Sequence, residues 1–465
     1  MAKILLVNPS YKEVIYKNAT TKYGIPYDPV LSLPIIATPL LNAGHDCKIL
    51  DLNLESDFVS AFKSELTNYR PDIIGFTFTT PLFNQAAQLS IIAREINKNI
   101  IIFSGGAHTS SMPEEVLIKS EIDIAVLGEG DFIIRDYLNN TDLTGIEGIA
   151  YKKDGKIIIN PQKKVVTDID SIPFPAWHLY DITKYKVSKL STKKNPAGYI
   201  ETSRGCPWKC CYCNKNIYGK KYRAKSPKRL VDEMEYMLKC GFNEIHIIDD
   251  AFSADMRRAK EVCNEIIKRN LKFPWYPLNG IRVDCVDEEL LYKMKSAGVY
   301  KISYGVESGN DEILKRIDKG ITKDHVRKAV QMTKKIGLDT FLFFMIALPG
   351  ETEQTMQDTL DFAKELSPDI AKFNITIPLP GTKLFEEWKS QGIIKTENWD
   401  KYNYYSPSRE IYEHPNLSWE TIEKFYKRAY REFYFRPGYL INRLIKTIKD
   451  GTILDNIKYA ISTRW

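Results

Sequence analysis

The strongest constraint on the fold is a regular alternation of short apolar strands with helical segments, which occurs in two successive series along the chain. In the first series, which ends near residue 140, strands are predicted at 4–7, 47–50, 73–77, 100–103 and 124–127, with helical stretches such as 83–97 and 113–118 between them. Strands that are joined by helical crossovers form parallel sheets covered on both faces. The sequence therefore predicts an α/β fold that begins with a doubly wound parallel sheet.

The second series begins near residue 199, with strands predicted at 199–202, 244–248, 275–281, 301–306, 340–346 and 370–377. The helix predicted over 228–239 is preceded by Ser226 and begins at Pro227, both of which are favoured at helix N-termini. Six βα units are too few for a closed eight-stranded barrel. We therefore expect a partial (β/α)6 barrel, with functional residues at the C-terminal ends of its strands.

The remaining segments connect or cover these two parts. Residues 148–159 predict a hairpin turned at Asp154-Gly155, and the proline-containing stretch 168–177 predicts a linker. Beyond about residue 395 the chain is rich in aromatic residues and predicts an amphipathic helix that caps the barrel. The expected divisions are a sheet domain over 1–145, a hairpin and linker over 146–195, the partial barrel over 196–395 and a helical cap over 396–465. The basic tail 436–449 is expected to pack against the barrel, with weak contact to a membrane surface as the alternative.

The composition is that of an ordinary globular chain. It has 465 residues, 43% of them hydrophobic and 27% charged. The net charge of +7 is spread over 66 basic and 59 acidic residues without a long basic block, so charge does not indicate nucleic-acid binding. The first residues enter a strand pattern directly, and no stretch approaches the roughly 20 apolar residues of a membrane helix. With eight cysteines, which are compatible with a reducing compartment, the expected location is the cytoplasm.

Three cysteines are the most specific chemical feature of the chain. Cys206, Cys210 and Cys213 are spaced Cys-x-x-x-Cys-x-x-Cys in one loop directly after a predicted strand. Cysteine thiolates hold iron–sulfur clusters, normally four to a cubane, so three ligands imply a 4Fe–4S cluster with one iron open to another molecule. Structural zinc would need a fourth ligand, commonly from a second pair, and no such pair lies nearby. A disulfide framework does not fit scattered cysteines in an α/β pattern, and chance clustering of packing residues is the remaining alternative.

The cysteine spacing, with Tyr212 just before the last cysteine, resembles the radical S-adenosylmethionine (SAM) superfamily. The resemblance implies that the open iron binds SAM and that the reduced cluster cleaves SAM to a 5′-deoxyadenosyl radical. It also implies a partial barrel, which agrees with the six predicted strands. An external reductant such as flavodoxin or ferredoxin is expected.

The resemblance assigns SAM contacts to the other strand ends of the second series. Asp249 or Asp250 would meet the amino group, and Arg282 could offer a bidentate fork to the carboxylate. Ser303 and Glu307 would bind the ribose hydroxyls, and Tyr212 is expected to contact the cofactor from the cysteine loop.

The strand ends of the first series resemble those of the cobalamin-binding domain that precedes many radical SAM enzymes. The residues that carry this resemblance, and that we expect to contact cobalamin, are Thr77, Thr79, Gly105, Gly106, Gly128 and Glu129. The Asp-x-His-x-x-Gly signature that supplies a histidine to cobalt elsewhere is absent, as in many members of this subclass. Cobalamin would therefore bind without a protein histidine on cobalt. The alternative is a flavodoxin-like domain that serves only as a scaffold.

Together these resemblances imply a cobalamin-dependent radical SAM methyltransferase that acts on an unactivated carbon or phosphorus of a small molecule or lipid. The alternative with the same cofactors is a non-methylating rearrangement, cyclisation or oxidation. Methylthiolation is not expected, because those enzymes carry a second cluster on three N-terminal cysteines and this domain has only Cys47. A cobalamin or redox sensor would have no use for the SAM motifs. The substrate itself is not predicted, since one fold supports many chemistries.

Overall fold

The N-terminal sheet has five parallel strands followed by an antiparallel hairpin in the computed structural model, which describes residues 1–16, 28–140, 142–163, 165–188 and 191–455. The strands are β1 (Lys3–Asn8), β2 (Asp46–Asp51), β3 (Ile73–Thr77), β4 (Ile101–Gly105), β5 (Ile124–Val126), β6 (Ile149–Lys153) and β7 (Lys156–Asn160). Their order is β2-β1-β3-β4-β5-β6-β7, so the direction of winding reverses between β1 and β3. The predicted hairpin pairs with β5, and the sheet therefore continues to Asn160, beyond the boundary expected at residue 145.

Helices cover both faces of this sheet, which confirms the doubly wound prediction. They are α1 (Tyr11–Val14), α2 (Ser32–Asn42), α3 (Phe58–Tyr69), α4 (Phe83–Ile96), α5 (Ala107–Ser111), α6 (Pro113–Lys119) and α7 (Ile133–Asn139). Alternate residues of β1 enter two separate cores. Ile4 and Leu6 pack in the core that includes α2, whereas Leu5 and Val7 pack in the core that includes α3 and α4.

The predicted partial barrel is also confirmed. Its strands are β8 (Ala197–Ile200), β11 (Glu244–Ile247), β12 (Trp275–Pro277), β13 (Lys301–Glu307), β14 (Asp339–Ile346) and β15 (Ile370–Ile375), and a short ribbon of β9 (Ser203–Arg204) and β10 (Arg223–Ala224) follows β8. All barrel pairings are parallel, and isolated bridges at Trp275–Val299 and Ile281–Tyr304 join β12 to β13. The helices outside the strands are α8 (Pro227–Lys239), α9 (Met256–Lys268), α10 (Glu288–Ser296), α11 (Asp311–Arg316), α12 (Lys323–Ile336) and α13 (Glu353–Leu366).

The two faces of the barrel wall differ in packing. On β14 the outward side chains of Leu342 and Phe344 are fully buried beneath the helices. Phe341, Phe343 and Met345 point to the lumen and remain partly exposed. In a closed eight-stranded barrel the interior is filled by side chains. The interior of this partial barrel is therefore open along β14.

Up to residue 455, three α-helices follow the barrel: α14 (Lys383–Ser390), α15 (Trp419–Tyr434) and α16 (Pro437–Lys449). The predicted amphipathic helix is α15, which packs on α13 and on the edge strand β15. The hydroxyls of Tyr430 and Tyr434 donate to the carbonyls of Phe373 and Ala371 at 2.9 and 2.7 Å, respectively. These contacts satisfy backbone groups that an edge strand would otherwise expose. No helix within the described ranges is both long and apolar enough to cross a bilayer.

Candidate functional site

The three cysteines lie in a loop that the structure fixes at both ends. The ribbon of β9 and β10 pairs Arg204 with Arg223 and brackets the loop. Gly205 has φ +81°, and a Cβ there would lie 2.3 Å from the Lys221 carbonyl oxygen, so only glycine fits without displacing the backbone. Within the loop, the Cys206 N–H donates to the Gly219 carbonyl at 3.3 Å. Lys215 Nζ donates to the Cys206 carbonyl at 3.0 Å and also to the carbonyl of Trp208.

Three of the four thiols of the loop are free and at least partly exposed. Cys213 is exposed, and Cys206 and Cys210 are partly exposed. The surrounding protein atoms nevertheless desolvate the Cys213 thiol and raise its pKa to about 11, and the nearby Asp250 also raises it. Cys211 instead points into the hydrophobic core, so the four cysteines of the loop divide into three ligand candidates and one packing residue.

This donor set fits a multinuclear cluster better than a single ion. Among the described residues, no three histidine, cysteine, aspartate or glutamate side chains converge as ligands of one metal ion. A cubane separates its ligand sulfurs, because each one binds a different iron. Three thiols on one loop match the number of protein ligands that a 4Fe–4S cluster needs when one of its irons stays open.

The two aspartates after β11 have different environments. Asp249 is buried and accepts from the Thr202 N–H, the Thr202 hydroxyl and the Ser203 hydroxyl, each at 2.5 Å. Its carboxylate thus anchors the strand end that leads into the cysteine loop. Asp250 reaches solvent, and within the described chain it has no hydrogen-bond partner. Desolvation by the surrounding protein, followed by repulsion from Asp249, raises the pKa of Asp250 to about 6. Of the pair, only Asp250 is open to a ligand.

Arg282 does not present a free fork. Its Nε and Nη2 donate to the two carboxylate oxygens of Asp284, each at 2.9 Å, and its Nη1 donates to the Lys319 carbonyl at 2.8 Å. The guanidinium also lies over the Trp208 ring, 4.2 Å from its centroid. In this arrangement Asp284 occupies the two Arg282 donors that were expected to bind the SAM carboxylate. Arg282 instead supports the cysteine loop through its contact with Trp208.

Glu307 and Ser303 lie on β13 beside the loop. Glu307 follows a β-bulge and has φ +68°, a strained conformation for a residue with a side chain, and such strain is concentrated at functional sites. Lys319 Nζ donates to Glu307 Oε1 at 2.6 Å and to the Tyr212 hydroxyl at 3.2 Å. Gly305 leaves room for this pair, since a Cβ there would lie 2.6 Å from Glu307 Oε1. The structure therefore brings Tyr212 and Glu307 together through Lys319.

The environment of the Ser303 side chain indicates whether strand β13 can bind a ligand. Its hydroxyl is completely buried and has no hydrogen-bond partner within the described residues. Buried hydroxyl groups in native proteins are almost always paired. An unpaired buried hydroxyl on the strand that ends at Glu307 fits a ligand that brings its own hydroxyl groups, as the ribose of SAM would.

The predicted cobalamin residues fall into two groups. Thr77 is partly exposed, Thr79 is exposed, and a Cβ at Gly105 would meet its nearest neighbour, Val126, only at 3.8 Å. These three residues leave space at the carboxyl edge of the sheet, beside the β1/β3 switch point where ligands of such sheets bind. By contrast, Gly106 has φ +104° and lies against the Phe78 carbonyl. Gly128 lies against Gln162 of the segment after the hairpin, so protein atoms occupy the space beside both glycines.

Glu129 belongs to a buried ion cluster rather than to an open edge. Arg204 Nη1 donates to Glu129 at 3.0 Å, and its two Nη atoms bind both oxygens of Asp131 at 2.7 Å each. Arg204 Nε donates to Glu201 at 2.7 Å, and Arg223 Nη2 lies 2.6 Å from Glu129 Oε1 as an ion pair without hydrogen-bond alignment. We name these five residues the Arg204 cluster. It engages the Glu129 side chain in ion pairs, so the expected cobalamin contact of Glu129 stays a prediction, and it ties the N-terminal sheet to the start of the cysteine loop.

Sequence reasoning missed four residues that organise the site: Trp208, Lys215, Asp284 and Lys319. Each of them contacts a residue that was predicted to belong to the site. Lys215 and Trp208 belong to the cysteine loop itself, and Asp284 is two residues from Arg282. Lys319 gave no local signal, because its contact with Glu307 arises only when the turn after α11 folds back on β13.

Comparison with known proteins agrees with both halves of the chain. The Radical SAM superfamily model matches residues 200–363, and the B12 binding domain model matches residues 27–137. An uncharacterized methyltransferase of Pyrococcus horikoshii is 32% identical over 451 residues, which cover 96% of this chain and 95% of that protein. Anaerobic magnesium-protoporphyrin IX monomethyl ester cyclase of Rubrivivax gelatinosus is 29% identical, covering 74% and 63% of the two chains. Cytidylyl-2-hydroxyethylphosphonate methyltransferase of Streptomyces wedmorensis is 28% identical, covering 85% and 83%.

A solved structure shows the same fold. The cobalamin-dependent S-adenosylmethionine radical enzyme OxsB, with aqua-cobalamin and SAM bound, aligns with a TM-score of 0.74 at 18% identity, covering 100% of this chain and 72% of that chain. The two domain matches and the similarity along almost the whole chain to the Pyrococcus protein agree with the geometry of the cysteine loop and sheet edge. The chain belongs to the family of radical SAM enzymes that carry an N-terminal cobalamin-binding domain.

Proposed function

We propose that the protein is a cobalamin-dependent methyltransferase that acts on an unactivated carbon or phosphorus of a small molecule or lipid. One observation carries the proposal: the carboxyl edges of the two parallel sheets face each other. The Arg204 cluster joins the end of β5 to the end of β8. Asn214 of the cysteine loop also donates to Ser111, which follows β4, at 2.7 Å. The likeness to two methyltransferases supports methyl transfer as the reaction.

The residues take the following roles in this proposal. Cys206, Cys210 and Cys213 hold the cluster. When bound, the cluster supplies the electron that cleaves SAM, and cobalamin carries the methyl group. Thr77, Thr79 and Gly105 line the cobalamin edge.

The SAM contacts come from the barrel wall. The open Asp250 carboxylate binds the amino group of SAM, and Ser303 and Glu307 bind its ribose. Lys319 and Tyr212 hold Glu307 in its strained conformation through the contacts described above. The Arg204 cluster fixes the distance between the two cofactor edges, because its members are buried and belong to both parts of the chain.

A direct test combines cofactor analysis with methyl transfer. Protein that is purified without oxygen and supplied with cobalamin should contain about four irons and close to one corrinoid per chain. Cys206→Ala should lose the iron, whereas Cys211→Ala, a change at the neighbouring packing cysteine, should keep it. A full iron content in Cys206→Ala would refute the assigned ligand set. Iron without corrinoid would make the N-terminal domain a scaffold and exclude cobalamin-dependent transfer.

The SAM residues can be tested by binding alone. Ser303→Ala and Glu307→Gln should each weaken SAM binding by about tenfold, because each removes a hydrogen bond to the ligand. Isothermal titration of reconstituted protein measures this. A control is Ser296→Ala, since Ser296 is exposed and bonds only to its own helix at the Tyr292 carbonyl. Unchanged affinity in both site variants would place SAM elsewhere.

A reaction without methyl transfer is the second candidate, and it is favoured by the 29% identity to a cyclase. The two candidates differ in the mass of the product. A methyltransferase adds one CH₂ to its substrate and transfers label from methyl-labelled SAM, whereas a cyclisation or oxidation does neither.

A reductant and a membrane surface are the remaining partners that we propose. All eight cysteines lie within the described residues and are free thiols, which supports the cytoplasm and a reductant such as flavodoxin or ferredoxin. Helix α16 is held to the barrel by Lys446, which pairs with Asp339 and Asp369, yet it exposes Leu440, Ile441, Leu444, Ile445 and Ile448. This face supports a weak membrane contact, which sedimentation with anionic lipid vesicles would test; an Ile441→Ser/Leu444→Ser variant should then bind less.

A further inference from the structure

Lys372 is a cation inside the barrel that the proposed reaction leaves without a role. Its neighbours on β15, Ala371 and Phe373, are buried outward against α15. Because side chains alternate along a strand, Lys372 points into the lumen, and its register partner there is Phe343. It therefore stands on the open, aromatic side of the barrel.

The Lys372 ammonium has no anionic partner. Within the described residues it makes neither a hydrogen bond nor an ion pair, and it lies over the Tyr404 ring, 5.8 Å from the centroid. Residues 17–27, 141, 164, 189–190 and 456–465, which complete the sequence, contain no aspartate or glutamate. Burial lowers the pKa of Lys372, as expected for an ammonium without a compensating charge.

Other basic residues near the lumen are compensated. Lys319 is paired with Glu307 at 2.6 Å. Lys301 lies 4.0 Å from the centroid of the Tyr276 ring and is attracted by Glu244 and Asp339. Lys372 differs from both because no described carboxylate pairs with it, and its ring contact, with Tyr404 at 5.8 Å, is longer than that of Lys301. A desolvated charge without a partner is costly, so a ligand that brings a negative charge would remove that cost.

Lys372 lies close to strand β13, which carries the proposed SAM-binding residues Ser303 and Glu307. Its partner Phe343 pairs in turn with Gly305, two residues before Glu307. Lys372 and Gly305 are thus two strand spacings apart, about 10 Å. Tyr404, which flanks Lys372, is also influenced by the charge of Glu307. An anion on Lys372 would therefore hold a molecule beside the SAM ribose without overlapping it.

We propose that Lys372 binds an anionic group of the substrate, a carboxylate, phosphate or phosphonate, while Phe341 and Phe343 contact its apolar part. The two rings contact each other at 4.6 Å between centroids with a tilt of 35°, and both remain partly exposed to the lumen. This inference rests on the proposed function and narrows its substrate class. Lys372 is a binding residue that determines specificity, and it takes no proton or electron in the reaction.

Equilibrium dialysis of the full reconstituted protein with labelled phenylphosphonate tests the charge requirement. Wild type should bind this probe at least tenfold more tightly than Lys372→Met, and Lys372→Arg should retain most of the binding. Lys335→Met is the matched control, because Lys335 is exposed and paired with Glu288 on the outside of the barrel. Equal affinity in wild type and Lys372→Met would overturn the proposal. Lys372→Met should also unfold at a higher temperature, since it removes an unpaired charge; a large loss of stability would instead assign Lys372 a structural role.

Acetylation mapped by mass spectrometry locates the anion and identifies its source. Phenylphosphonate should protect Lys372 from acetylation, whereas the neutral benzyl alcohol should not. Saturating SAM without substrate should leave Lys372 reactive. Protection by SAM alone would mean that the bound anion is the carboxylate of SAM, and it would overturn the substrate assignment. None of these measurements depends on methyl transfer, so they would remain informative if iron and corrinoid analysis refuted the proposed function.

Discussion

Replacing Arg204 with methionine should reduce the free energy of unfolding by about 3–5 kcal/mol, the range for removing one partner of a buried ion pair. The side chain of Arg204 is only 2% exposed and contacts three carboxylates within 3.0 Å. After the replacement Glu129 would keep its ion pair with Arg223. Asp131 and Glu201 would lose their contacts with Arg204, and the cost comes from these two buried charges. Methionine fills a similar volume, so a cavity contributes little.

Urea unfolding without oxygen, followed by circular dichroism, measures this change. The double variant Arg204→Met/Asp131→Asn separates the effect of charge from the loss of contacts. Because it removes one of the stranded charges, it should be more stable than Arg204→Met alone, although each change is destabilising by itself. A loss below 1 kcal/mol in Arg204→Met, or a double variant whose loss equals the sum of the single losses, would refute the reasoning. The second result would mean that Arg204 and Asp131 act independently.

Three further changes test other parts of the structure. Arg282→Lys should speed the loss of cluster iron to a chelator, because lysine can neither bind both Asp284 oxygens nor stack on Trp208; equal loss rates would contradict this. Burial lowers the pKa of His108 to about 3, so between about pH 6.5 and 3 the unfolded chain binds one more proton and wild-type stability falls as pH drops. His108→Phe should remove up to about 1.4 kcal/mol per pH unit of that slope in unfolding experiments, and an unchanged slope would refute the assignment. Burial raises the pKa of Glu351 from 4.5 to about 8, so in that window the folded chain binds one more proton and stability falls as pH rises. Glu351→Gln should flatten this dependence in the same assay, and a curve parallel to that of wild type would count against it.

The fold was predictable because its signals are local. The predicted strand at 73–77 matches β3, and the helix predicted over 83–97 differs from α4 by a single residue. Apolar strands between helices can form few arrangements other than parallel sheets. The hairpin was also predicted from its turn, but its place at the sheet edge depends on β5, which lies more than twenty residues earlier. Local patterns carry no information on that pairing.

The candidate site was less predictable because residue type does not reveal which partner a side chain chooses. Arg282 and Asp249 lie at the predicted strand ends, but one is held by Asp284 and the other by Thr202 and Ser203. Glu129 similarly binds Arg204, a residue 75 positions away. A charged side chain in a buried site pairs with the polar groups that the fold brings next to it, and for Asp249 and Glu129 those groups come from distant parts of the chain. The roles of the cysteines and SAM residues therefore remain predictions until the binding tests are done.

The contacts of the cysteine loop constrain the order in which the enzyme can be made. The Cys211 N–H donates to the Ile317 carbonyl, and the Cys211 carbonyl accepts from the Leu384 N–H. Asn214 is held by Ser111 on one side and by the Pro380 carbonyl on the other. A ribosome therefore has to synthesise the chain beyond Leu384 before the loop can adopt its shape. Iron insertion into the correctly shaped loop is consequently a late event, which follows synthesis of the sheet domain and of the whole barrel.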